Sequence, residues 1–156
     1  MNNVLYNPFF NATRDVFELM LALNDISDKP YAVNDGVHDQ MDIVIAIGIT
    51  GDLDGKVVYH FPKETSLKMV SIMSGMEFEE IDEFVTSAMG EIANIISGNV
   101  LSNLSEQELA CDILPPETLT TETLAEQIKN YYFKSGMQIT TDIGEVNLEI
   151  MFNKAN

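Results

Sequence analysis

The chain has 156 residues, of which 46% are hydrophobic, and it carries 25 acidic against 8 basic side chains, for a net charge of −17. This length and composition predict a single globular domain, spanning residues 1–156, with a buried core. Nucleic acid and anionic lipid are excluded as expected partners, because both require positive charge facing them. The simplest explanation of the acidity is solubility.

The sequence also predicts a cytoplasmic protein. Its first ten residues lack the basic start and long apolar run of a signal peptide. No segment approaches the roughly 20 apolar residues of a membrane span. Cys111 is the only cysteine, which excludes an internal disulfide and fits a reducing compartment.

The chain opens with a predicted amphipathic helix. Asn7 followed by Pro8 is typical of a helix N-cap and first turn. An apolar face then extends to about residue 23 and is formed by Phe10, Thr13, Phe17, Met20 and Leu21. A loop over 24–30 and a short strand over 31–37 are expected to follow.

A β-hairpin and a second helix come next. Residues 43–49 are a continuous β-branched run, which suits a strand covered on both faces. A turn over 51–55 joins it to an alternating strand over 56–61, so the two form a hairpin. A helix is expected over 63–73, ending at Gly75.

The second half begins with the longest proline-free segment, residues 78–104, whose apolar residues fall at helical spacing. A strand over 110–114 is expected to stop at Pro115 and Pro116. A further helix is predicted over 120–133, ended by Gly136.

A second hairpin closes the chain, with strands over 137–143 and 146–152 and a turn at Gly144 and Glu145. Its last strand alternates inward Val146, Leu148, Ile150 and Phe152 with outward Asn147, Glu149 and Met151. Short turns demand antiparallel pairing. The predicted fold class is therefore α+β: one antiparallel β-sheet with helices packed on one face, built from a faintly duplicated helix-plus-hairpin unit.

Metal and nucleophile motifs are missing from the sequence. His38 and His60 are isolated, and no His-x-x-x-His or Cys-x-x-Cys pair occurs. The acidic turn over 51–55 lacks the downstream glutamate of a calcium loop, and phosphate-binding loops are absent. Cys111 lies in a predicted strand, where a nucleophile is not expected. We therefore expect no metal or cofactor in this chain.

A polar row on the long helix is the candidate site. Ser87, Glu91 and Asn94 line up on the arc opposite the apolar face, with Gly90 and Gly98 at its border. A glycine within a helix costs about 0.5–1 kcal/mol relative to alanine, and close approach of another surface is one reason to retain it. On spacing alone, however, such a row is commonly just solvated surface.

The segment from Glu91 to Asn99, EIANIISGN, resembles the signature helix of the CheC/CheX/FliY phosphatases of bacterial chemotaxis. The family pattern has Asp or Ser, then Glu four residues on, Asn three residues later and a proline some twenty-odd residues downstream. Ser87, Glu91 and Asn94 match it, and Pro115 and Pro116 occupy the downstream region.

CheC-type members carry the Glu/Asn motif twice, with the first copy in the first helix. The corresponding row in this sequence is Asn7, Asn11 and Arg14, with no Glu-x-x-Asn. The single motif is similar to the CheX branch, whose members form dimers through their sheets. The resemblance therefore implies a homodimer.

The resemblance further implies hydrolysis of the aspartyl phosphate of a phosphorylated CheY-type response regulator. Asn94 would orient the attacking water, Glu91 would dock to the regulator's lysine, and Ser87, Gly90 and Gly98 would support the contact. The Mg²⁺ is expected on the regulator. Two alternatives stay open: a non-catalytic binding or adaptor module acting on a regulator or the flagellar switch, and a phosphatase for a regulator outside chemotaxis.

Overall fold

A seven-stranded antiparallel sheet organises the chain in the computed structural model, which describes residues 2–33 and 43–153. The elements in chain order are α1 Asn2–Leu21, β1 Ser27–Tyr31, β2 Ile43–Gly51, β3 Gly55–Phe61, α2 Lys63–Ser74, α3 Glu83–Ser105, β4 Cys111–Ile113, β5 Glu117–Thr118, α4 Thr121–Ile128, β6 Phe133–Thr141 and β7 Gly144–Phe152. The predicted α+β class is confirmed.

The order of the strands shows the duplication. It runs β1-β6-β7-β3-β2-β4, with β5 also pairing with β2. The two hairpins, β2–β3 and β6–β7, meet at the centre through β3 and β7. Each outer strand pairs with the hairpin of the other half, β1 with β6 and β4 with β2. The halves are thereby interlocked, so neither can bury its strands without the other.

Helices α1, α2 and α3 cover one face of the sheet. Strand positions alternate between faces, so Ile45 and Ile47 of β2 point into the same core as Val57 and Tyr59 of β3. Burying a Val or Ile side chain in this core contributes about 1.5–3 kcal/mol to the free energy of folding. The predicted inward set of β7, Val146, Leu148, Ile150 and Phe152, lies in this core.

The opposite face is covered in part by α4. Leu124 and Ile128 of that helix pack with Val44, Val58 and Met151 in a second cluster. The prediction that β2 is covered on both faces is therefore confirmed. The predicted alternation of β7 is confirmed, since Glu149 and Met151 lie on the face opposite the main core, but both residues are fully buried there and not exposed. The prediction that the helices pack on one face of the sheet holds for α1, α2 and α3 only, because α4 packs on the opposite face.

The first helix begins earlier than predicted. It starts at Asn2, so Pro8 lies inside it and Asn7 is not its N-cap. Leu5 and Phe9, four residues apart, are both buried in the main core. Their burial extends the helix through Pro8, whose carbonyl accepts a bond from Asn103 Nδ2 at 3.0 Å. Within the predicted apolar face, Met20 is half-exposed instead of buried.

Two other boundaries shift because strands pair and caps form. The strand predicted over 31–37 is β1, Ser27–Tyr31, which pairs with β6; residues 34–37 lie outside the described part, as does His38. The helix predicted from residue 78 starts at Glu83, because Asp82 has an extended backbone and its carboxylate accepts a hydrogen bond from Val85 N at 2.9 Å.

The last helix and hairpin also differ from the prediction. Helix α4 ends at Ile128, because the chain from Phe133 onward pairs with β7. Gly136 does not end a helix but lies within β6, where an added Cβ would stand 2.6 Å from the Tyr31 ring. Thr141 pairs with Gly144, so the turn consists of residues 142 and 143 and not of Gly144 and Glu145.

Candidate functional site

Helix α3 separates an apolar face from a polar one. Its buried side chains include Val85, Met89, Ile92, Ile96 and Val100, which pack onto the sheet and α1. At about 100° per residue these positions occupy the arc facing the core. Because these side chains anchor one side of α3 in the core, the polar row on the other side of the helix is held facing outward.

The predicted row lies on that outward arc. Ser87 and Glu91 are exposed, and Asn94 is half-buried. Within the described part of the chain, none of the three side chains forms a hydrogen bond or ion pair. The three therefore present a hydroxyl, a carboxylate and an amide to solvent, each available to a partner molecule. A carboxylate accepts hydrogen bonds, whereas the amide can both donate and accept.

The two bordering glycines lie in different environments. Gly90 is buried, and a Cβ added there would lie 3.9 Å from the ring of Pro116. The downstream proline therefore packs beside the motif helix between Ser87 and Asn94. Gly98 has no atom within 4 Å of the same added Cβ. The surface beyond Asn94 is open, which leaves room for an approaching partner.

A buried hydrogen bond fixes α3 to the sheet beneath the row. Tyr59 Oη of β3 and Ser97 Oγ of α3 are 2.8 Å apart and both buried. Burial raises the pKa of Tyr59, and the hydrogen bond to Ser97 opposes this only in part, so the phenol is protonated at neutral pH. This bond restrains the helix three residues beyond Asn94.

A second polar cluster was missed by the sequence prediction. His60 Nε2 lies 2.8 Å from Glu149 Oε1, and Tyr31 Oη donates to Glu149 Oε2 at 2.9 Å. His60 and Glu149 are fully buried on the sheet face opposite α3. Burial, and then the Glu149 charge, raises the pKa of Tyr31. Only the register of β1, β3, β6 and β7 brings these residues together, so no local sequence pattern indicates the cluster.

Metal and membrane features were searched over residues 2–33 and 43–153. There the structure holds no group of three or more His, Cys, Asp or Glu side chains placed to bind a metal ion. Over the same residues, no helix has the length and hydrophobicity needed to span a bilayer. The polar row of α3 is therefore the candidate site in this part of the chain.

Solved structures with the same architecture define a CheC-like fold. A CheC-like superfamily protein from Shewanella sp. PV-4 superimposes with a TM-score of 0.82 at 24% identity, covering 99% of this chain and 100% of that chain. The CheX of a CheX-CheY-BeF₃-Mg²⁺ complex from Borrelia burgdorferi gives a TM-score of 0.77 at 22% identity, covering 96% and 97% of the two chains.

Sequence comparison identifies the family. Residues 43–134 match the family model described as chemotaxis phosphatase CheX. The CheY-P phosphatase CheX of Thermotoga maritima is 34% identical over 130 residues, which cover 83% of this chain and 79% of that protein. The chain therefore belongs to the CheX family of chemotaxis phosphatases.

Proposed function

We propose that this protein hydrolyses the aspartyl phosphate of a CheY-type response regulator, using Glu91 and Asn94 of α3. The observation that carries the proposal is the placement of these two side chains, unpaired within the described chain, on the outward arc of a helix rooted in the core. Family membership supplies the reaction class, since the Thermotoga relative is a CheY-P phosphatase.

Asn94 is the residue proposed to orient the attacking water. The reaction cleaves the bond between phosphorus and the carboxylate oxygen, and water supplies the oxygen that releases inorganic phosphate. An acyl phosphate is already activated, so positioning a water in line is the main task left to the protein. The amide both accepts from the water and donates to a phosphoryl oxygen, but it is a poor general base.

Glu91 is proposed to set the register of docking by pairing with the regulator's active-site lysine. A charge-assisted hydrogen bond of this kind is short and directional. Ser87, one turn before Glu91, contributes a supporting contact. Gly98 leaves open space for the regulator. Gly90 has no side chain to project between the helix and Pro116, which packs beside it.

The neutralising charge at the phosphoryl group belongs to the regulator in this proposal. We propose that Mg²⁺ is bound there; the solved Borrelia complex contains CheX, CheY, BeF₃ and Mg²⁺. No metal or cofactor is required in this chain. We further propose that the protein acts in the cytoplasm.

We also propose a homodimer formed through the sheet. Within residues 2–33 and 43–153, β1 pairs with β6 alone and lies at the edge of the sheet, exposed along four of its five residues with one intermediate. Lys29 and Pro30 limit backbone pairing along this edge, so the proposed contact relies on the side chains of the sheet as well as on its edge. Analytical ultracentrifugation tests this assembly, and a strictly monomeric protein at micromolar concentration would contradict it.

The test of the phosphatase uses a CheY-type regulator phosphorylated with ³²P, with loss of label followed over time. The wild-type protein should shorten the lifetime of the phosphoryl group. Asn94→Ala should lower the acceleration by about a hundredfold or more, because in-line positioning is lost. Its melting temperature should not change appreciably, since Asn94 lies outside the core.

Binding without acceleration separates the adaptor alternative from the phosphatase. If the wild-type protein binds the phosphorylated regulator but leaves the phosphoryl lifetime unchanged, the fold serves as a binding module. Undiminished acceleration by Asn94→Ala would instead refute the role of that residue.

A further inference from the structure

A stacked pair of phenylalanines lies beside the candidate site. Phe84 in the first turn of α3 stacks on Phe78, with ring centroids 5.4 Å apart and ring planes inclined by 8°. Phe78 is half-buried and packs against the main core, whereas Phe84 is 55% exposed. The outer ring is therefore exposed to water but held in place from beneath by a ring rooted in the core.

Phe84 belongs to the same helical stripe as the polar row. Residues 84, 87, 91, 94 and 98 alternate spacings of three and four, so they share an arc of about 80° on α3. Phe84 precedes Glu91 by two turns, a distance of about 10 Å along the axis. A partner that contacts Glu91 and Asn94 face to face would therefore also meet the Phe84 ring.

Such a ring has the properties of a binding hot spot. Phenylalanine is among the aromatic residues enriched in protein–protein interfaces relative to the rest of the surface. Because stacking on Phe78 already orders the ring, association does not have to immobilise it. In the free protein the exposed part of the Phe84 ring contacts water, and burying it against a partner would be favourable.

The charges around the pair specify the surface that fits it. Five acidic residues fall within residues 77–83, namely Glu77, Glu79, Glu80, Asp82 and Glu83, and all are exposed. Glu80 pairs with Lys63 at 3.1 Å, which neutralises part of this charge. The complementary surface is an apolar depression rimmed by lysine or arginine.

We infer that the Phe78–Phe84 pair is a second docking contact for the response regulator, inserting Phe84 into an apolar, basic-rimmed depression about 10 Å from the lysine that Glu91 is proposed to bind and about 15 Å along the helix axis from Asn94. This inference rests on the proposed function and adds the part of the interface that sets affinity. It also gives a protein of charge −17 a site of electrostatic attraction, because the acidic residues around the pair would face the basic rim while the chemistry takes place at Asn94.

The experiment measures kcat and KM for dephosphorylation separately. Phe84→Ala should raise KM about tenfold or more, as expected for a truncated hot spot, with kcat within about twofold of the wild type. Phe84→Leu, which retains apolar volume, should recover much of the loss. Tyr132→Ala is the matched control: Tyr132 is 67% exposed and follows α4, on the other side of the sheet. Its KM should not change.

The charge of the partner surface is tested by salt. Raising NaCl from about 50 mM to about 300 mM should increase the wild-type KM, and Glu79→Gln combined with Glu83→Gln should weaken this dependence. A wild-type KM that does not respond to salt would overturn the basic rim.

The outcomes distinguish this inference from the proposed function. A wild-type protein without phosphatase activity would refute the function. An active wild type with an unchanged KM in Phe84→Ala would overturn the docking contact alone. If Phe84→Ala instead shifts the sedimentation of the protein without changing KM, the pair serves self-association and the inference is wrong. An unchanged melting temperature in that variant would show that the KM effect is not a loss of fold.

Discussion

Helices α1 and α3 hold matching places in the two halves of the fold, yet they present different surfaces. Both pack on the same face of the sheet and against each other. Asn7, Asn11 and Arg14 of α1 repeat the spacing of Ser87, Glu91 and Asn94 in α3. The packing is thus duplicated, while the chemistry at equivalent positions is not.

The difference lies in how the polar groups are satisfied. Arg14, at the place of Asn94, lies 3.3 Å from Asp15 and 3.7 Å from Glu18 on its own helix. Its guanidinium also lies 5.6 Å from the centre of the Phe10 ring, and Phe10 takes the place of Gly90. Helix α1 therefore satisfies its own charge, whereas α3 leaves a carboxylate and an amide for a partner.

The buried sides differ as well. Phe17 of α1 corresponds by spacing to Ser97 of α3, and both are buried. One position is filled by an apolar ring and the other by a hydroxyl bonded to Tyr59. The buried hydrogen bond adds a directional contact to the packing of α3, the helix that presents the site.

Among the changes that compare the two helices, the largest effect is expected from reversing the charge at Glu91. Glu91→Lys should lower kcat/KM for regulator dephosphorylation by about a hundredfold, because it replaces an attractive contact with repulsion against the regulator's lysine. Asn11→Lys, at the matching position of α1, is the control and should change kcat/KM by less than about twofold. Equal losses in both variants would contradict the assignment of the site to α3.

A smaller effect is expected from the bond that orients α3. Tyr59→Phe should lower the free energy of unfolding by about 1 kcal/mol, because it leaves the Ser97 hydroxyl buried without this partner. Urea denaturation measures the change. In a double-mutant cycle, Tyr59→Phe and Ser97→Ala should be coupled by about 1 kcal/mol. Strictly additive effects would show that the bond does not contribute.

The smallest effect is expected from Arg14. Arg14→Asn gives α1 the residue that α3 has at the matching position, and should lower the free energy of unfolding by less than about 1 kcal/mol, since the ion pairs are half-exposed. It should add no phosphatase activity in an Asn94→Ala background. Restored activity would show that the two helices are interchangeable and would break the comparison.

Most elements could be predicted from the sequence because their patterns are local. The β-branched run of β2, a turn between β2 and β3 and the end of α2 at Gly75 were predicted correctly, although Gly51 and Gly55 belong to the strands and not to the turn. Errors occurred where a distant contact decided the outcome. Leu5 extends α1 through Pro8 by entering the core, and pairing with β7 converts the predicted end of α4 into β6.

The candidate site followed the same division. The shared helix face of Ser87, Glu91 and Asn94 could be predicted from the sequence, because one helix carries all three residues. The stacking of Phe84 on Phe78 was not, because Phe78 lies before the Asp82 cap and reaches the ring by folding back. The buried pair of His60 and Glu149 was hidden as well, because 89 residues separate its members.

The sequence by itself determined which residues share the exposed arc of α3, since helical periodicity is a property of neighbours within about one or two turns. It also indicated the family, through the segment from Glu91 to Asn99, Ser87 and the downstream prolines, and the match over 130 residues then showed it. Tertiary structure alone decided that α3 is anchored by Tyr59, that Pro116 packs beside Gly90, and that Arg14 is neutralised while Asn94 is free within the described chain. These features depend on burial and on contacts between distant segments, which no local pattern encodes.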